Sequence, residues 1–297
     1  MRIGYACLTV GVEGTKLRTC SLKNATPALL TELIYSNLLV LDKVLDYNIQ
    51  NDIKLFRISS DIIPFGSHPV NKLEWWQIFA DQLKNLGQKS HSHNMRLSMH
   101  PGQYTVLNSP IDAVVERAVE DLRYHARFLD SLGLGPENKI VLHVGGVYGD
   151  RLASMERFVS KYRRLDENIR QRLVIENDDR QYRIGDVLSM GRSEGIPVVF
   201  DNLHHQVNPD NTHTELEWIE VCASTWKPQD GPQKIHYSQQ DPSKRPGAHS
   251  ATIHVNEFLQ FVRNLPNSDV DIMLEVKDKN LSAVKCIHAL RMSNFIK

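Results

Sequence analysis

The sequence predicts an α/β fold, a single-domain TIM (β/α)8 barrel, on two observations. Strand-like apolar segments alternate eight times with helical segments along the 297 residues. Six of the strand-like segments also end on a residue that can hold a divalent metal ion. In a barrel of parallel strands, the loops that follow the strands converge on one mouth. The six endings therefore predict a metal cluster at the C-terminal mouth, and they are His100, His143, Glu176, Asp201, His236 and Glu275.

The strands are predicted from short apolar runs, several of them without polar interruption. Such runs are typical of parallel strands that are covered on both faces by other elements. Their lengths of four to seven residues suit strands better than helices. The predicted strands span residues 2–7, 54–58, 95–99, 139–143, 173–176, 197–201, 234–237 and 270–276.

A helical segment is predicted after each strand. The first begins near Thr26, because Pro27 suits the first turn of a helix. The third is a long amphipathic segment over residues 111–132 that ends at Gly133. No repeat, low-complexity tract or linker interrupts the pattern, so residues 1–297 are expected to form one domain. The other helices are predicted over residues 71–87, 154–171, 184–193, 215–223, 255–263 and 282–291.

The composition is that of an ordinary globular enzyme. Hydrophobic residues make up 41% of the chain, and the formal net charge is zero. No global field therefore attracts the chain to nucleic acid or to a membrane. The four cysteines lack the paired spacing of a disulfide framework or a zinc ribbon. The N-terminus has no apolar signal-peptide core, and no apolar run approaches the roughly 18 residues of a membrane span. We expect a cytoplasmic monomer that does not associate with membranes.

Twelve of the thirteen histidines divide by position. An isolated histidine is more often a packing or surface residue than a ligand, and this interpretation suits the six that lie in or beside predicted helices. This interpretation does not suit the four histidines at or just after strand ends. His68 and His249 lie deeper in their loops, so their positions alone are weaker evidence for a ligand. Glu176 and Glu275 interrupt apolar runs, where an unpaired carboxylate is costly and a cation is a suitable partner. The six histidines in or beside helices are His91, His93, His125, His213, His254 and His288; the four at strand ends are His100, His143, His204 and His236.

Imidazoles and carboxylates without thiolates suit zinc, manganese or iron. More than six candidate ligands exceed the needs of one ion and indicate two or three. Clustered ions serve in-line displacement at phosphorus, in which one activates water and others neutralise charge. Phosphodiester hydrolysis is therefore the first hypothesis. A metal-dependent sugar-phosphate isomerase on a similar barrel is the second.

Seven short motifs spread over the barrel strands resemble the UV-damage endonuclease family. They are Phe56-Arg57-Ile58-Ser59-Ser60-Asp61, His100-Pro101-Gly102-Gln103-Tyr104, Leu107-Asn108-Ser109-Pro110, His143-Val144-Gly145-Gly146, Glu176-Asn177-Asp178-Asp179, Asp201-Asn202-Leu203-His204-His205 and Lys234-Ile235-His236-Tyr237-Ser238. This family is similar in fold and metal chemistry to endonuclease IV.

The resemblance implies nicking of double-stranded DNA immediately 5′ of cyclobutane pyrimidine dimers, 6-4 photoproducts and some abasic sites. The products would carry a 3′-hydroxyl and a 5′-phosphate. It also implies a cluster of three divalent ions, with Mn²⁺ favoured and Zn²⁺, Mg²⁺ or Co²⁺ as alternatives. A DNA-damage binding protein whose cluster is only structural is a further hypothesis, which the intact ligand set disfavours.

The resemblance also implies roles for individual residues. Glu176 would bridge two ions, and Glu176, Lys234 and His68 would form the catalytic set. Lys234 points to the same face as His236, where an ammonium near divalent ions must lose its proton or become carboxylated. The family favours carboxylation, and a lysine that extends to solvent is the alternative. The implied metal ligands are His100, His143, Glu176, Asp201, His204, His236, His249 and Glu275.

Lesion recognition is expected in the loop after the third strand. The resemblance implies that Gln103 and Tyr104 wedge into the duplex and fill the space opposite a flipped-out lesion. A simple turn with a packing tyrosine is the alternative. Tyr5 matches an aromatic that lines the lesion pocket, although it could equally be a barrel-core residue.

Overall fold

The computed structural model describes residues 1–296, and within them eight parallel strands form a closed barrel in sequence order, with the last strand pairing with the first. The predicted α/β barrel is therefore confirmed. Each strand occupies the position expected from the sequence, although most are shorter by one or two residues. The strands are β1 (Ile3–Ala6), β2 (Leu55–Ile58), β3 (Arg96–Met99), β4 (Ile140–His143), β5 (Leu173–Glu176), β6 (Val198–Asp201), β7 (Gln233–Tyr237) and β8 (Val270–Leu274).

Helices surround the barrel and cover the outer face of the strands. Short 3-10 segments occur at Leu22–Asn24, Ser60–Ile62 and Pro228–Asp230. Among residues 1–296, no helix is both long enough and apolar enough to span a membrane. The α-helices are α1 (Pro27–Gln50), α2 (Trp75–Ile78), α3 (Ala80–Ser92), α4 (Asp112–Ser131), α5 (Arg151–Tyr162), α6 (Glu167–Arg172), α7 (Ile184–Glu194), α8 (Asn202–Val207), α9 (Glu215–Ala223), α10 (Val255–Asn264) and α11 (Asn280–Met292).

Three helical features differ from the sequence prediction. The segment predicted over residues 71–87 is divided at Phe79, whose backbone leaves the helical region between α2 and α3. The segment predicted over 154–171 is also two helices, α5 and α6. The short helix α8 was missed because it follows β6 without a loop. Asp201 ends the strand and also caps α8, since its side chain accepts a hydrogen bond from the backbone N–H of His204 at 2.8 Å.

The barrel interior is layered by chemistry. At the amino-terminal end, Arg96 pairs with Asp271 at 2.9 Å, and Lys139 pairs with Asp230. Above these ion pairs lies a small apolar cluster of Val141, Val174 and Val199. Because side chains alternate along a strand, the next inward positions on these strands fall at the mouth. They are His143, Glu176 and Asp201, three of the predicted ligands.

Candidate metal centre

The centre is organised around the carboxylate of Glu176, which is 1% exposed at the end of β5. Its Oε1 lies 2.7 Å from Nδ1 of His236. Its Oε2 lies 3.4 Å from Nε2 of His100 and 3.8 Å from Nε2 of His143. Within residues 1–296, two groups of possible ligand atoms lie within 4.8 Å of one another, and Glu176 belongs to both. The groups are His100, His143 and Glu176, and Glu176, Asp201 and His236.

The other predicted ligands adjoin these two groups. Nδ1 of His204 lies 3.7 Å from Oδ1 of Asp201. Oε1 of Glu275 lies 3.4 Å from Nδ1 of His236, and Oε2 of Glu275 lies 4.0 Å from Nε2 of His249. The eight residues predicted as ligands therefore form one continuous cluster, although they come from the ends of six strands, from α8 and from the loop after β7.

Three of the histidine rings are fixed by backbone carbonyl groups. Nδ1 of His100 lies 2.9 Å from the carbonyl oxygen of Pro101, and Nδ1 of His204 lies 2.9 Å from that of Asn177. Nδ1 of His249 lies 2.5 Å from the carbonyl oxygen of Glu275. A carbonyl oxygen only accepts hydrogen bonds, so each Nδ1 carries the proton. A ring that is protonated only at Nδ1 would present the lone pair of Nε2, the arrangement that is usual for a histidine that binds metal.

Two asparagines hold the strand ends in place, and the sequence prediction gave them no role. The Asn177 side chain donates to the carbonyl of Asp201 at 3.0 Å and accepts from its N–H at 2.9 Å. Asn202 makes the same pair of bonds with the backbone of Ser238, at 3.0 and 2.8 Å. Each asparagine directly follows a predicted ligand and attaches its strand end to the next segment. The ligands thereby receive a rigid support.

Mutual electrostatics keep the two central glutamates ionised. Burial alone would raise the pKa of Glu176, but His236 and His143 hold it well below its usual range. Burial opposes ionisation of Glu275 in the same way, and Arg57 and His236 lower its pKa. Among the imidazoles, burial lowers the pKa of His143 to about 4, so this ring is neutral at pH 7. For His204, the carboxylates of Asp201, Glu176 and Glu275 outweigh burial and raise the pKa to about 9.

Several buried polar atoms at the centre are unsatisfied, and a cation would satisfy them. Within residues 1–296, Glu176 Oε2, Asp201 Oδ2 and His143 Nδ1 have no hydrogen-bond partner. A buried acceptor without a partner costs on the order of 1–3 kcal/mol, and more when it is charged. The unsatisfied carboxylate oxygens and the free Nε2 lone pairs face the same space. The residues present therefore fit a site for divalent metal.

Lys234 lies inside the barrel below the cluster. It is fully buried, and its Nζ has no hydrogen-bond partner within residues 1–296. The alternative that this lysine extends to solvent is therefore wrong. Burial lowers its pKa far below the usual value, and the nearby positive charges of Arg96 and Arg57 lower it further. The ammonium form is therefore disfavoured at this position.

Arg57 is a member of the centre that the sequence prediction missed. Its guanidinium donates to Oε1 of Glu275 at 2.6 Å and to Nε2 of His236 at 3.0 Å. Its place at an inward-facing position of β2 was visible in the alternation of the strand, but a lone arginine in an apolar run gave no indication of its partners. Arg57 supplies the positive charge nearest to Glu275, so it partly neutralises the cluster.

Two predicted site residues lie away from the cluster. His68 is exposed in the loop after β2, where its Nδ1 accepts a hydrogen bond from Val70 N–H at 3.1 Å; it belongs to neither group of ligand atoms. Tyr5 is 0% exposed, and its hydroxyl bonds to Thr9 at 2.8 Å and Asn48 at 2.9 Å. The prediction that Tyr5 lines a pocket at the mouth is therefore wrong. Its position in β1 directs it outward against α1, so it is a core residue.

Gln103 and Tyr104 do lie at the mouth. Both side chains are exposed, Tyr104 by 72%, in the loop after β3. They line a cavity of about 620 Å³ whose wall also includes three of the histidines of the cluster. The alternative of a packed turn tyrosine does not fit such exposure. The three histidines are His100, His143 and His204.

Barrel and centre together define a class of protein: an α/β barrel with a candidate metal centre of imidazoles and carboxylates at the carboxyl ends of its strands. The chain matches the model of the UV-endonuclease UvdE family over residues 1–297 and belongs to that family. It is 43% identical over 295 residues to a UV DNA damage endonuclease of Clostridium perfringens, covering 99% of this chain and 72% of the relative. The family suggested by the sequence motifs is thereby confirmed.

Solved structures agree with this assignment. The crystal structure of SacUVDE superposes with a TM-score of 0.94 at 38% identity, covering 100% of both chains. A D-psicose 3-epimerase structure superposes with a TM-score of 0.54 at 12% identity, covering 86% of this chain and 92% of the other. The second likeness shows the fold alone, so it gives no support to the isomerase hypothesis.

Because Glu176 is shared by both groups of ligand atoms, its charge is expected to matter for ion content. We expect Glu176→Gln to lose at least one bound divalent ion and nearly all nicking activity while the barrel stays folded. Elemental analysis measures the ions, circular dichroism the fold, and a plasmid assay the nicking. The exposed Glu116→Gln variant on α4 is the matched control. Unchanged ion content in Glu176→Gln would contradict the shared-ligand geometry.

Proposed function

We propose that this chain is a DNA repair endonuclease that hydrolyses the phosphodiester immediately 5′ of UV lesions. The lesions are cyclobutane pyrimidine dimers, 6-4 photoproducts and some abasic sites, and the products carry a 3′-hydroxyl and a 5′-phosphate. The observation that carries the proposal is the sharing of Glu176 by two groups of ligand atoms at the mouth. In a chain of the UV-endonuclease family, such a centre suits clustered ions. The partner is double-stranded DNA, on which we expect the chain to act as a monomer in the cytoplasm.

The eight clustered residues would hold the ions, of which we propose three, with Mn²⁺ favoured. Zn²⁺, Mg²⁺ and Co²⁺ remain alternatives, because imidazole and carboxylate donors without thiolate do not select among them strongly. When bound, clustered divalent ions supply Lewis acidity and neutralise charge on the phosphate and the departing oxygen. The protein would contribute imidazole nitrogens, the carboxylate of Glu176 that both groups of ligand atoms share, and a guanidinium at Arg57 that holds Glu275 in place.

Carboxylation of Lys234 is part of the proposal. A neutral amine can attack carbon dioxide, forming a C–N bond and releasing a proton, and burial lowers the pKa of this amine and so favours its neutral form. The product is an anion. The cationic side chains of Arg57, Arg96 and Lys139, which oppose an ammonium here, would stabilise that anion, whereas Asp271 would oppose it. His68 is exposed on the loop after β2, and its place in the catalytic set rests only on the family resemblance.

We assign recognition of the lesion to Gln103 and Tyr104, which lie at the rim of the mouth, rather than to the cluster of candidate ligands. An exposed tyrosine and glutamine beside a cavity can fill the space that a flipped base leaves, and flipping costs least at a damaged pair. The cavity behind them reaches the histidines, so a strand held there would bring its backbone close to the ions.

One experiment tests the function as a whole. Purified protein is incubated with ultraviolet-irradiated and untreated supercoiled plasmid, with Mn²⁺ or with a chelator. We expect nicking of the irradiated plasmid with Mn²⁺ and none with chelator. Binding of irradiated DNA without nicking would instead support the damage-binding hypothesis. Absence of both, together with turnover of a sugar phosphate, would support the isomerase.

Lys234 provides a second prediction. Arginine keeps a positive charge and cannot be carboxylated, so Lys234→Arg is expected to lose activity sharply and not to regain it with added bicarbonate. Carbon-13-labelled bicarbonate should give a carbamate NMR signal in the wild type and none in the variant. The exposed Lys16→Arg variant is the control. Full activity in Lys234→Arg would show that the lysine takes no part.

Gln103 and Tyr104 at the rim provide a third prediction. Aromatic stacking on a base is worth about 1–3 kcal/mol, so Gln103→Ala/Tyr104→Ala is expected to weaken binding and nicking of cyclobutane dimers most. Abasic sites should lose less, because part of the unstacking is already done. Matched oligonucleotides carrying each lesion measure this difference.

Ion content serves as the control for the double variant, because neither residue belongs to the groups of ligand atoms. An equal loss on all substrates, accompanied by loss of ions, would mean that the loop only supports the cluster.

A further inference from the structure

A second exposed tyrosine, Tyr148, lines the same cavity as Gln103 and Tyr104. It lies in the loop after β4, and 47% of it is exposed. Its backbone is in the left-handed region, with φ at 51°. A bulky residue rarely adopts this conformation, and strained residues of this kind concentrate at binding sites. The strained backbone and the half-exposed ring together indicate that Tyr148 contacts a ligand.

Tyr148 and Tyr104 are built in the same way. Each follows a histidine of the cluster, and each rests against a glycine two residues before it. A Cβ on Gly102 would lie 2.5 Å from Tyr104 Cε1, and one on Gly146 would lie 2.9 Å from Tyr148 Cζ. Any larger residue in place of either glycine would force the tyrosine ring to move. Two neighbouring loops thus present a tyrosine ring at the rim by the same local device.

The support beneath Tyr148 is rigid. The carbonyl of Gly146 accepts hydrogen bonds from Asn108 Nδ2 at 2.7 Å and from the Tyr182 hydroxyl at 2.9 Å. The guanidinium of Arg157 lies 5.8 Å from the ring centroid of Tyr148. Arg157 is itself held, because its Nε donates to the carbonyl of Asn108 at 2.9 Å. The ring is therefore preorganised, which reduces the entropy lost when a ligand stacks on it.

The rim of the cavity also carries charged side chains. Arg180 and Arg245 line the same cavity from the loops after β5 and β7, together with the carboxylates of Asp178 and Asp179. Arg180 lies 3.5 Å from Asp179, so Arg245 is the cation better placed for a phosphate. Aromatic rings for bases together with cations for phosphates are the usual elements of a surface that binds single-stranded or flipped nucleotides.

We propose that Tyr148 is a second base-stacking residue of this site, which receives the nucleobase that the Gln103–Tyr104 loop displaces. The inference rests on the proposed function and extends it to the residue that holds the displaced base. In this proposal Tyr148 acts in binding and positioning and not on the reacting atoms.

Two substitutions separate the ring from the turn. Tyr148→Phe keeps the ring and loses only the hydroxyl. Tyr148→Asn removes the ring, but asparagine tolerates the left-handed backbone and keeps the turn. We expect the asparagine variant to raise the Kd and KM for dimer-containing DNA about tenfold, within the range of aromatic–base stacking. Its kcat and ion content should change little, and the phenylalanine variant should resemble the wild type.

A fluorescent base analogue placed next to the lesion gives a readout independent of cleavage. Stacking on tyrosine should alter its emission in the wild type and in Tyr148→Phe, and this change should be lost in Tyr148→Asn. Wild-type affinity and emission in Tyr148→Asn would overturn the proposal and leave Tyr148 as a turn residue. A loss in Tyr148→Phe equal to that in Tyr148→Asn would also overturn it, since the hydroxyl would then be the essential group. Failure of the proposed function is distinct, because the wild type itself would then not nick irradiated DNA.

Discussion

The buried carboxylate of Glu176 is the constraint on which the rest of the centre depends. An ionised carboxylate inside a protein must be compensated, because burial of an unpaired charge costs several kcal/mol. Here the compensation comes from imidazoles on three other strands, which hold the pKa of Glu176 low. One of its oxygens still lacks a hydrogen-bond partner within residues 1–296. The barrel therefore tolerates this residue at a cost that a bound cation would remove.

The alternation of side chains along each strand decides which residues reach this carboxylate. Inward positions at the strand ends supply ligands, and the inward positions beneath them supply the valine layer that closes the site from below. The sequence predicted the placement of these residues well, because a candidate ligand at the end of each apolar run is a local signal. The asparagine bonds that attach Asp201 and Ser238 to their neighbours carry no such signal. They join segments that are distant in sequence.

The errors of prediction also arise from the direction of side chains and from contacts between segments that are distant in sequence. Tyr5 lies at the mouth end of its strand, yet the period of two directs its ring away from the pocket, where it bonds to Asn48 on α1. His204 was assigned correctly as a strand-end histidine, but its helix was missed because Asp201 serves as both the end of β6 and the cap of α8. Arg57 was overlooked because its partners, Glu275 and His236, are 218 and 179 residues away in the sequence. Position along a strand is predictable from sequence, but partners across the barrel are not.

Charge is layered inside the barrel, and a lysine lies beneath the candidate metal centre. The floor holds Arg96 and Lys139, whose partners Asp271 and Asp230 neutralise them, and the mouth holds an excess of carboxylates. Lys234 lies between the two layers, with no hydrogen-bond partner in residues 1–296 and with cations as its main charged neighbours. An ammonium there would face like charge without solvent to screen it, so the pKa of the amine is lowered and its neutral form is favoured. A neutral buried amine is reactive, whereas an ammonium is not. The same cations that oppose an ammonium would also stabilise an anionic form of this side chain.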